Sequence, residues 1–242
     1  HDAAAIEKAI RKARREQSKP TLICCRTVIG YGAPNKQGKE ECHGAALGTD
    51  EVRLAREALG WPHEPFVVPD DIRSAWDGRA RGKRAENRWK RAFKAYRTAF
   101  PDLAAEYERR VAGRLPDGFA ERAVALAHET QAAGGNVATR QSSQAVINAY
   151  GPLLPELLGG SADLTGSNLT RIQGTREFSR EHPEGRYLHY GVREFGMSAI
   201  MNGVGLHGGF IAYGGTFLVF SDYARNALRM AALMEIRVIF VF

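Results

Sequence analysis

A carboxylate, three aromatic rings and one histidine are the residues of this sequence whose types and spacing suit them to chemistry. The carboxylate is Glu194, within Tyr187-Leu-His-Tyr-Gly-Val-Arg-Glu-Phe-Gly-Met197. A short apolar strand is predicted to reach Tyr190, turn at Gly191 and pass at once into a helix with Glu194 in its first turn. The helix dipole favours an acid there by roughly 0.3–1 kcal/mol, a purely structural reason to find one. The position is also the carboxyl end of a strand, where open parallel sheets place their ligands. Phe217, Phe220 and Tyr223 recur at steps of three after Gly214-Gly215-Thr216, again at a predicted strand end. They read either as a core stripe or as an aromatic wall around a flat heterocycle. A carboxylate beside such a wall can grip a basic ring nitrogen while water is excluded.

His43 stands in Cys42-His-Gly-Ala45, inside a Gly-, Pro- and Asn-rich stretch from Gly30 to Gly48 that is too long for a plain connector. Loops of that length tend to be functional or disordered. A loop histidine is ordinarily solvated, but small neighbours let this one approach a ligand closely. Gly203-Val-Gly205-Leu-His-Gly208 matches the dinucleotide fingerprint in letters only. That fingerprint must follow a strand and open a helix, whereas this one closes a helix and precedes a strand. Close helix packing accounts better for its glycines. Cys24, Cys25 and Cys42 have no metal or redox spacing and read as buried small hydrophobes in a reducing compartment. Asn168-Leu169-Thr170 fits a glycosylation sequon, with no secretory pattern to accompany it.

The elements that must position these residues follow from periodicity. A helix capped by Asp2 and ending near Glu16 leads to a strand over Thr21–Thr27, apolar enough to be internal in a sheet. Thr49 caps a short helix that Gly60 ends. Asp70 to about Gly113 is helical with a break at Pro101, and Pro116 to Gly135 holds another helix. A serine, Ser142 or Ser143, caps a helix to Tyr150, and Leu157–Gly160 is a short strand. From Tyr187 the pattern is strand to Tyr190, helix to His207, strand Phe210–Tyr213, helix to Met234 and strand from Arg237. Met197, Ile200, Met201 and Val204 form the buried side of the first of these two helices. Strands alternating with helices imply a parallel sheet with right-handed crossovers.

Composition bounds the rest. The chain has 242 residues, 44% hydrophobic and 25% charged, as a globular protein has, and no apolar run approaches the ~20 residues of a membrane span. It opens on His1 and stops at a strand-like Arg-Val-Ile-Phe-Val-Phe242, so it reads as an internal piece of a longer protein. The net charge is +7, and Asp77–Phe100 alone holds nine basic against two acidic residues. A nucleic-acid surface has to be considered. Trp89, Phe93, Tyr96 and Phe100, at steps of four, three and four, instead predict a buried stripe with the basic residues on its solvated side. No nucleic-acid or membrane partner is expected.

Four blocks, in order, resemble transketolases: Cys42-His-Gly-Ala-Ala-Leu-Gly48, Gly159–Asn168, Tyr187–Met197 and Thr216–Arg225. The resemblance implies an α/β thiamine diphosphate-binding fold of parallel sheets flanked by helices. It implies two partial domains: residues 1–59 from the diphosphate-binding domain and 117–242 from the pyrimidine-binding domain, joined by a helical linker over 60–116. Glu194 then corresponds to the family's cofactor-activating glutamate, hydrogen-bonded to the aminopyrimidine ring nitrogen. Phe217, Phe220 and Tyr223 correspond to the pocket around that ring. His43 matches a histidine near the diphosphate and the reacting substrate oxygens. Arg140 and Ser167 match residues holding the sugar phosphate, and Asp163 a carboxylate near cofactor and substrate. The implied activity is transfer of a two-carbon ketol unit from a ketose phosphate to an aldose phosphate in the pentose phosphate pathway, in a cytoplasmic homodimer with its site between subunits. Mg2+ or Ca2+ accompanies the cofactor in the family, on ligands that lie outside this segment. The alternatives are a dihydroxyacetone synthase-like transfer to formaldehyde and a noncatalytic basic scaffold. By itself the segment is expected to be inactive.

Overall fold

A computed structural model describes all of residues 1–242 and divides into two compact units, His1–Lys83 and Arg84–Phe242. In the first unit, α1 (Ala3–Arg15) starts where Asp2 Oδ1 accepts hydrogen bonds from the Ala4 and Ala5 amides at 2.9 and 3.0 Å. The predicted strand over Thr21–Thr27 does not form. The segment has no strand pairing, and Leu22 is 87% exposed. Apolar composition makes a strand only where a neighbour supplies the ladder hydrogen bonds, and no strand of this unit lies beside it. For the same reason Cys24 and Cys25 are exposed rather than buried, and Cys42 is half-buried.

The long Gly30–Gly48 loop is ordered, as a chain of turns followed by a 3-10 turn at Glu40–His43. Its anchor is Glu51, in the first turn of α2 (Thr49–Ala58). The Glu51 carboxylate accepts from the Asn35 amide at 2.7 Å, the Asn35 side-chain nitrogen at 2.9 Å and the Lys36 amide at 3.2 Å. The Asn35 side chain, helped by these amides, holds the Glu51 carboxyl below its ordinary pKa. Gly60, at φ +65°, ends α2 in the left-handed turn that glycine adopts without strain.

Next come α3 (Asp70–Trp76), α4 (Arg79–Ala99) and α5 (Pro101–Val111). The break at Pro101 is as predicted. A second break falls at Asp77–Gly78, where Asp77 Oδ1 accepts from the Arg79 amide at 3.0 Å and so caps α4. The aromatic stripe of α4 forms, with Trp89 stacked on Phe93 at 5.0 Å and Tyr107 of α5 against Phe93 at 5.4 Å. It is only partly buried, because Trp89 and Phe100 stay half exposed.

The rest of the second unit is α6 (Phe119–Ala133), α7 (Thr139–Tyr150), β1 (Leu157–Ser161), α8 (Thr165–Asn168), β2 (Tyr187–His189), α9 (Glu194–His207), β3 (Ile211–Gly215), α10 (Ser221–Leu233) and β4 (Val238–Val241). The predicted serine cap is displaced. The helix starts at Thr139, where the Gln141 side chain accepts from the Ala138 amide at 3.0 Å, so Ser142 and Ser143 lie inside it. The four strands pair in parallel in the order β2-β1-β3-β4. Two cores lie on opposite faces, as the alternation of Ala212 and Tyr213 requires. Ala212 joins Met197, Met201, Tyr190 and Ala162, whereas Tyr213 joins Leu154, Leu157 and Ile172.

α9 buries Met197 and Met201 completely, but Ile200, assigned to the same face, is 50% exposed. Of the Gly203–Gly208 glycines, packing explains only Gly205, where a Cβ would stand 3.2 Å from Val238 Cγ1. Gly208 serves the left-handed turn that closes α9, and Gly203 faces open space. No helix is long and apolar enough to cross a membrane.

Candidate functional site

The carboxyl ends of β1, β2 and β3 open on one edge of the sheet, and Asp163, Glu194 and Phe217 follow those three strand ends in turn. After β2 the chain turns at Gly191, φ +71°, where a Cβ would meet Arg193 Nη1 at 2.2 Å. Arg193 Nη1 donates to the Tyr190 carbonyl at 3.1 Å, which fixes the turn. Glu194 is thereby the first residue of α9 and is only 8% exposed. Thr216 Oγ1, at the end of β3, donates to Glu194 Oε1 at 3.5 Å. The other carboxylate oxygen has no hydrogen-bond partner in the chain. Burial pushes the Tyr190 hydroxyl, which precedes this turn, up to about 12.

Thr216 is followed at once by the aromatic run. Phe217 and Phe220 lie 5.6 Å apart at 28°, and Phe220 and Tyr223 5.9 Å apart at 42°. Phe217 is 40% and Tyr223 68% exposed, so the run is not a core stripe. The buried side of α10 is instead Ala224, Ala227 and Ala231. Apolar ring surface left open directly after Thr216, the partner of a carboxylate with one oxygen free, fits a flat heterocycle with a basic nitrogen.

Asp163 stands on the β1–α8 loop at a left-handed φ of 61°, and Ser167 lies within α8; both are exposed. Beneath them is a buried polar network. Ser161 Oγ donates to the Gly215 carbonyl at 3.2 Å and accepts from the Leu164 amide and Asn168 Nδ2, both at 3.0 Å. Thr170 Oγ1 is 3.1 Å from Asn168 Oδ1, and the Tyr187 hydroxyl is 2.7 Å from Thr165 Oγ1. Tyr213 donates to the Thr170 carbonyl at 2.9 Å. Such a network fixes a loop because each buried group would otherwise lack a partner.

Arg140 lies in the first turn of α7, exposed and without a hydrogen bond or ion pair inside the chain. His43 ends the 3-10 turn of the first unit, also exposed. The structure therefore links Glu194 to Thr216, the residue before the aromatic run, and places Asp163 and Ser167 next in sequence to members of the polar network. It shows no hydrogen bond from Arg140 to any of them. No group of three or more His, Cys, Asp or Glu side chains is placed to hold a metal.

Sequence reasoning did not assign Thr216, the Ser161–Asn168–Thr170–Tyr187 network or Glu51. Thr216 was legible only as the residue after two glycines, and the network residues only as a hydroxyl-rich loop.

Two family models match. One, described as the transketolase thiamine diphosphate binding domain, matches residues 1–116, and the other, the transketolase pyrimidine binding domain, matches residues 135–242. The chain belongs to the transketolase family. Transketolase 1 of Vibrio cholerae is 53% identical and transketolase 2 of Escherichia coli 54% identical, each over 242 residues and the whole of this chain. The chain spans 36% of the length of either relative. Among solved structures, a Pichia stipitis transketolase in complex with sedoheptulose 7-phosphate is similar, with a TM-score of 0.80 and 37% identity. That match covers 99% of this chain and 36% of the other. Transketolase from Leishmania mexicana gives the same TM-score and identity, over 99% of this chain and 35% of that one. Glu194, Thr216 and the aromatic run all fall inside the segment matched by the pyrimidine-binding transketolase domain.

Proposed function

We propose that this chain is the central part of a transketolase, which moves a two-carbon ketol unit from a ketose phosphate to an aldose phosphate with thiamine diphosphate. The observation that carries the reading is the buried Glu194 carboxylate, whose one hydrogen-bond partner in the chain, Thr216, is followed directly by an open aromatic run. When bound, thiamine diphosphate supplies the carbon nucleophile for cleaving the bond beside a carbonyl. Glu194 holds the pyrimidine ring nitrogen through a hydrogen bond and exchanges a proton with it. Phe217, Phe220 and Tyr223 cover the ring and keep water from the carboxylate. Asp163 lies where the network-fixed loop meets cofactor and substrate. Arg140, whose guanidinium is free of partners, and Ser167 hold the sugar phosphate. His43 serves the diphosphate and the reacting substrate oxygens as a proton-transfer group.

The domain assignment is 1–59 for the diphosphate-binding part, 60–116 for the helical linker and 117–242 for the pyrimidine-binding part. Mg2+ or Ca2+ is held with the diphosphate by residues outside this chain. The active form is a cytoplasmic homodimer in which His43 and Glu194 of one chain serve different sites, and the 242-residue chain alone has no turnover. The basic face of α4 is read as solvated, supported by pairing of Lys90 with Glu86 at 2.5 Å and of Arg97 with Glu108.

A choice of acceptor tests the reading against its nearest alternative. The full-length protein carrying this segment is supplied with a ketose phosphate and equal amounts of an aldose phosphate and formaldehyde. The longer ketose phosphate is the expected main product. Dihydroxyacetone as the main product overturns the assignment in favour of formaldehyde transfer.

A further inference from the structure

We propose that Thr216 is a positioning residue for Glu194, setting the direction of its carboxylate through the threonine hydroxyl. The proposal deepens the reading of Glu194 given above and rests on it. Thr216 and Glu194 belong to different strand-to-helix units, yet the only hydrogen bond to the Glu194 carboxylate within the chain comes from Thr216 Oγ1, at 3.5 Å. That separation is long for a hydroxyl–carboxylate bond, so the hydroxyl steers the group without clamping it.

The donor itself is held rigidly. Thr216 is fully buried, and its amide donates to the Val241 carbonyl at 3.0 Å. The preceding Gly215 carbonyl accepts from the Ala162 amide at 2.9 Å and from Ser161 Oγ at 3.2 Å. A Cβ at Gly215 would stand 2.6 Å from Thr170 Cγ2 and 2.7 Å from Asn168 Nδ2. The sheet end is thus closely packed at Gly215, and the Ser161 network also holds the backbone that presents Thr216. With Oε1 engaged, Oε2 is left for a ligand.

α9 provides its own control. Ser198 lies one turn beyond Glu194, fully buried, and its hydroxyl has no partner. It makes no hydrogen bond to the carboxylate, so Ser198→Ala perturbs the same helix without touching the proposed contact.

The test uses the full-length protein with Thr216→Val, which keeps the shape and removes the donor, alongside Thr216→Ser and Ser198→Ala. Infrared difference spectra of 13C-glutamate-labelled, cofactor-free protein, referenced to Glu194→Gln, isolate the Glu194 carboxylate band. Thr216→Val is expected to shift that band and to lower kcat about threefold, less than the worth of an ordinary hydrogen bond because the contact is long, with KM for the ketose phosphate unchanged. Thr216→Ser restores both, and Ser198→Ala changes neither. An unshifted band in Thr216→Val, or equal impairment in Thr216→Ser, overturns the proposal. The band is read without cofactor, so it tests the contact even if wild-type protein transfers no ketol unit, a result that would instead sink the assigned function.

Discussion

Glu194→Gln in the full-length protein is expected to lower ketol transfer by about 10²–10³-fold, the usual worth of a positioned acid–base group. Glutamine keeps the length of the side chain and can still accept from Thr216 Oγ1 through its amide oxygen. It cannot exchange a proton with a ring nitrogen. The aromatic run is untouched by the substitution, and Phe217, Phe220 and Tyr223 supply most of the apolar contact a bound ring can make. Cofactor affinity should therefore fall by no more than about tenfold, because neutral amides still hydrogen-bond. Steady-state rates at saturating cofactor, with the dissociation constant from calorimetry, separate the two effects. A loss of binding with undiminished turnover at saturation makes Glu194 a mere anchor. Unchanged rate and affinity make it an ordinary first-turn acid.

The second large effect concerns stability and lies away from the site. Arg109 of α5 donates to both oxygens of Glu156, at 2.8 and 3.0 Å, and to both oxygens of Glu106, at 2.7 Å each. The Glu156 side chain is 4% exposed and immediately precedes β1, and its carbonyl accepts from the Ile211 amide at the start of β3. Arg109→Ala leaves that carboxylate buried without its cation. The expected loss is about 3–5 kcal/mol in denaturant unfolding of the chain at pH 7. A loss below 1 kcal/mol contradicts the geometry.

The same cluster gives a pH dependence. Hydrogen bonds from Arg109 first, and then Arg110, hold the Glu106 carboxyl at about 2, below its ordinary value. A depressed folded-state pKa contributes stability that is complete above the unfolded value of 4.5 and is lost as pH falls towards 2. Glu106 is a third exposed, so solvent screening reduces the contribution to about 1–2 kcal/mol. Glu106→Gln removes that contribution. The stability difference between wild type and Glu106→Gln is therefore expected to shrink between pH 4.5 and 2.5, and a constant difference rules the linkage out.

The half of the fold that carries Glu194 was legible because its strands and helices alternate with clear punctuation at Gly191, Gly208 and Gly214-Gly215. What escaped depends on contacts between distant residues. Thr21–Thr27 has the composition of an internal strand, but composition does not say whether a neighbour lies alongside. The cap of α7 was placed four or five residues late because Gln141, closing back on Ala138, supplies the terminus that a serine was expected to supply. The α4 stripe has the right spacing, yet Tyr107 covers only its middle, and no local period encodes how far a second helix reaches.

Within the site, Glu194 and the aromatic run could be named from the strand-to-helix junctions they occupy, because those junctions face the ligand side of a parallel sheet. Thr216 could not, since its role needs the turn after β2 to meet the end of β3. Arg109 was invisible as anything but one charge of a helix, because its partner Glu156 is 47 residues away.

The most direct test of the central claim is ketol transfer by the full-length protein after thiamine diphosphate and divalent metal have been stripped and then restored separately and together. The account predicts that no two-carbon transfer occurs in stripped protein or with metal alone, and that rate returns when thiamine diphosphate and Mg2+ are both restored. Transfer at the same rate without thiamine diphosphate, or none after full restoration, would contradict it.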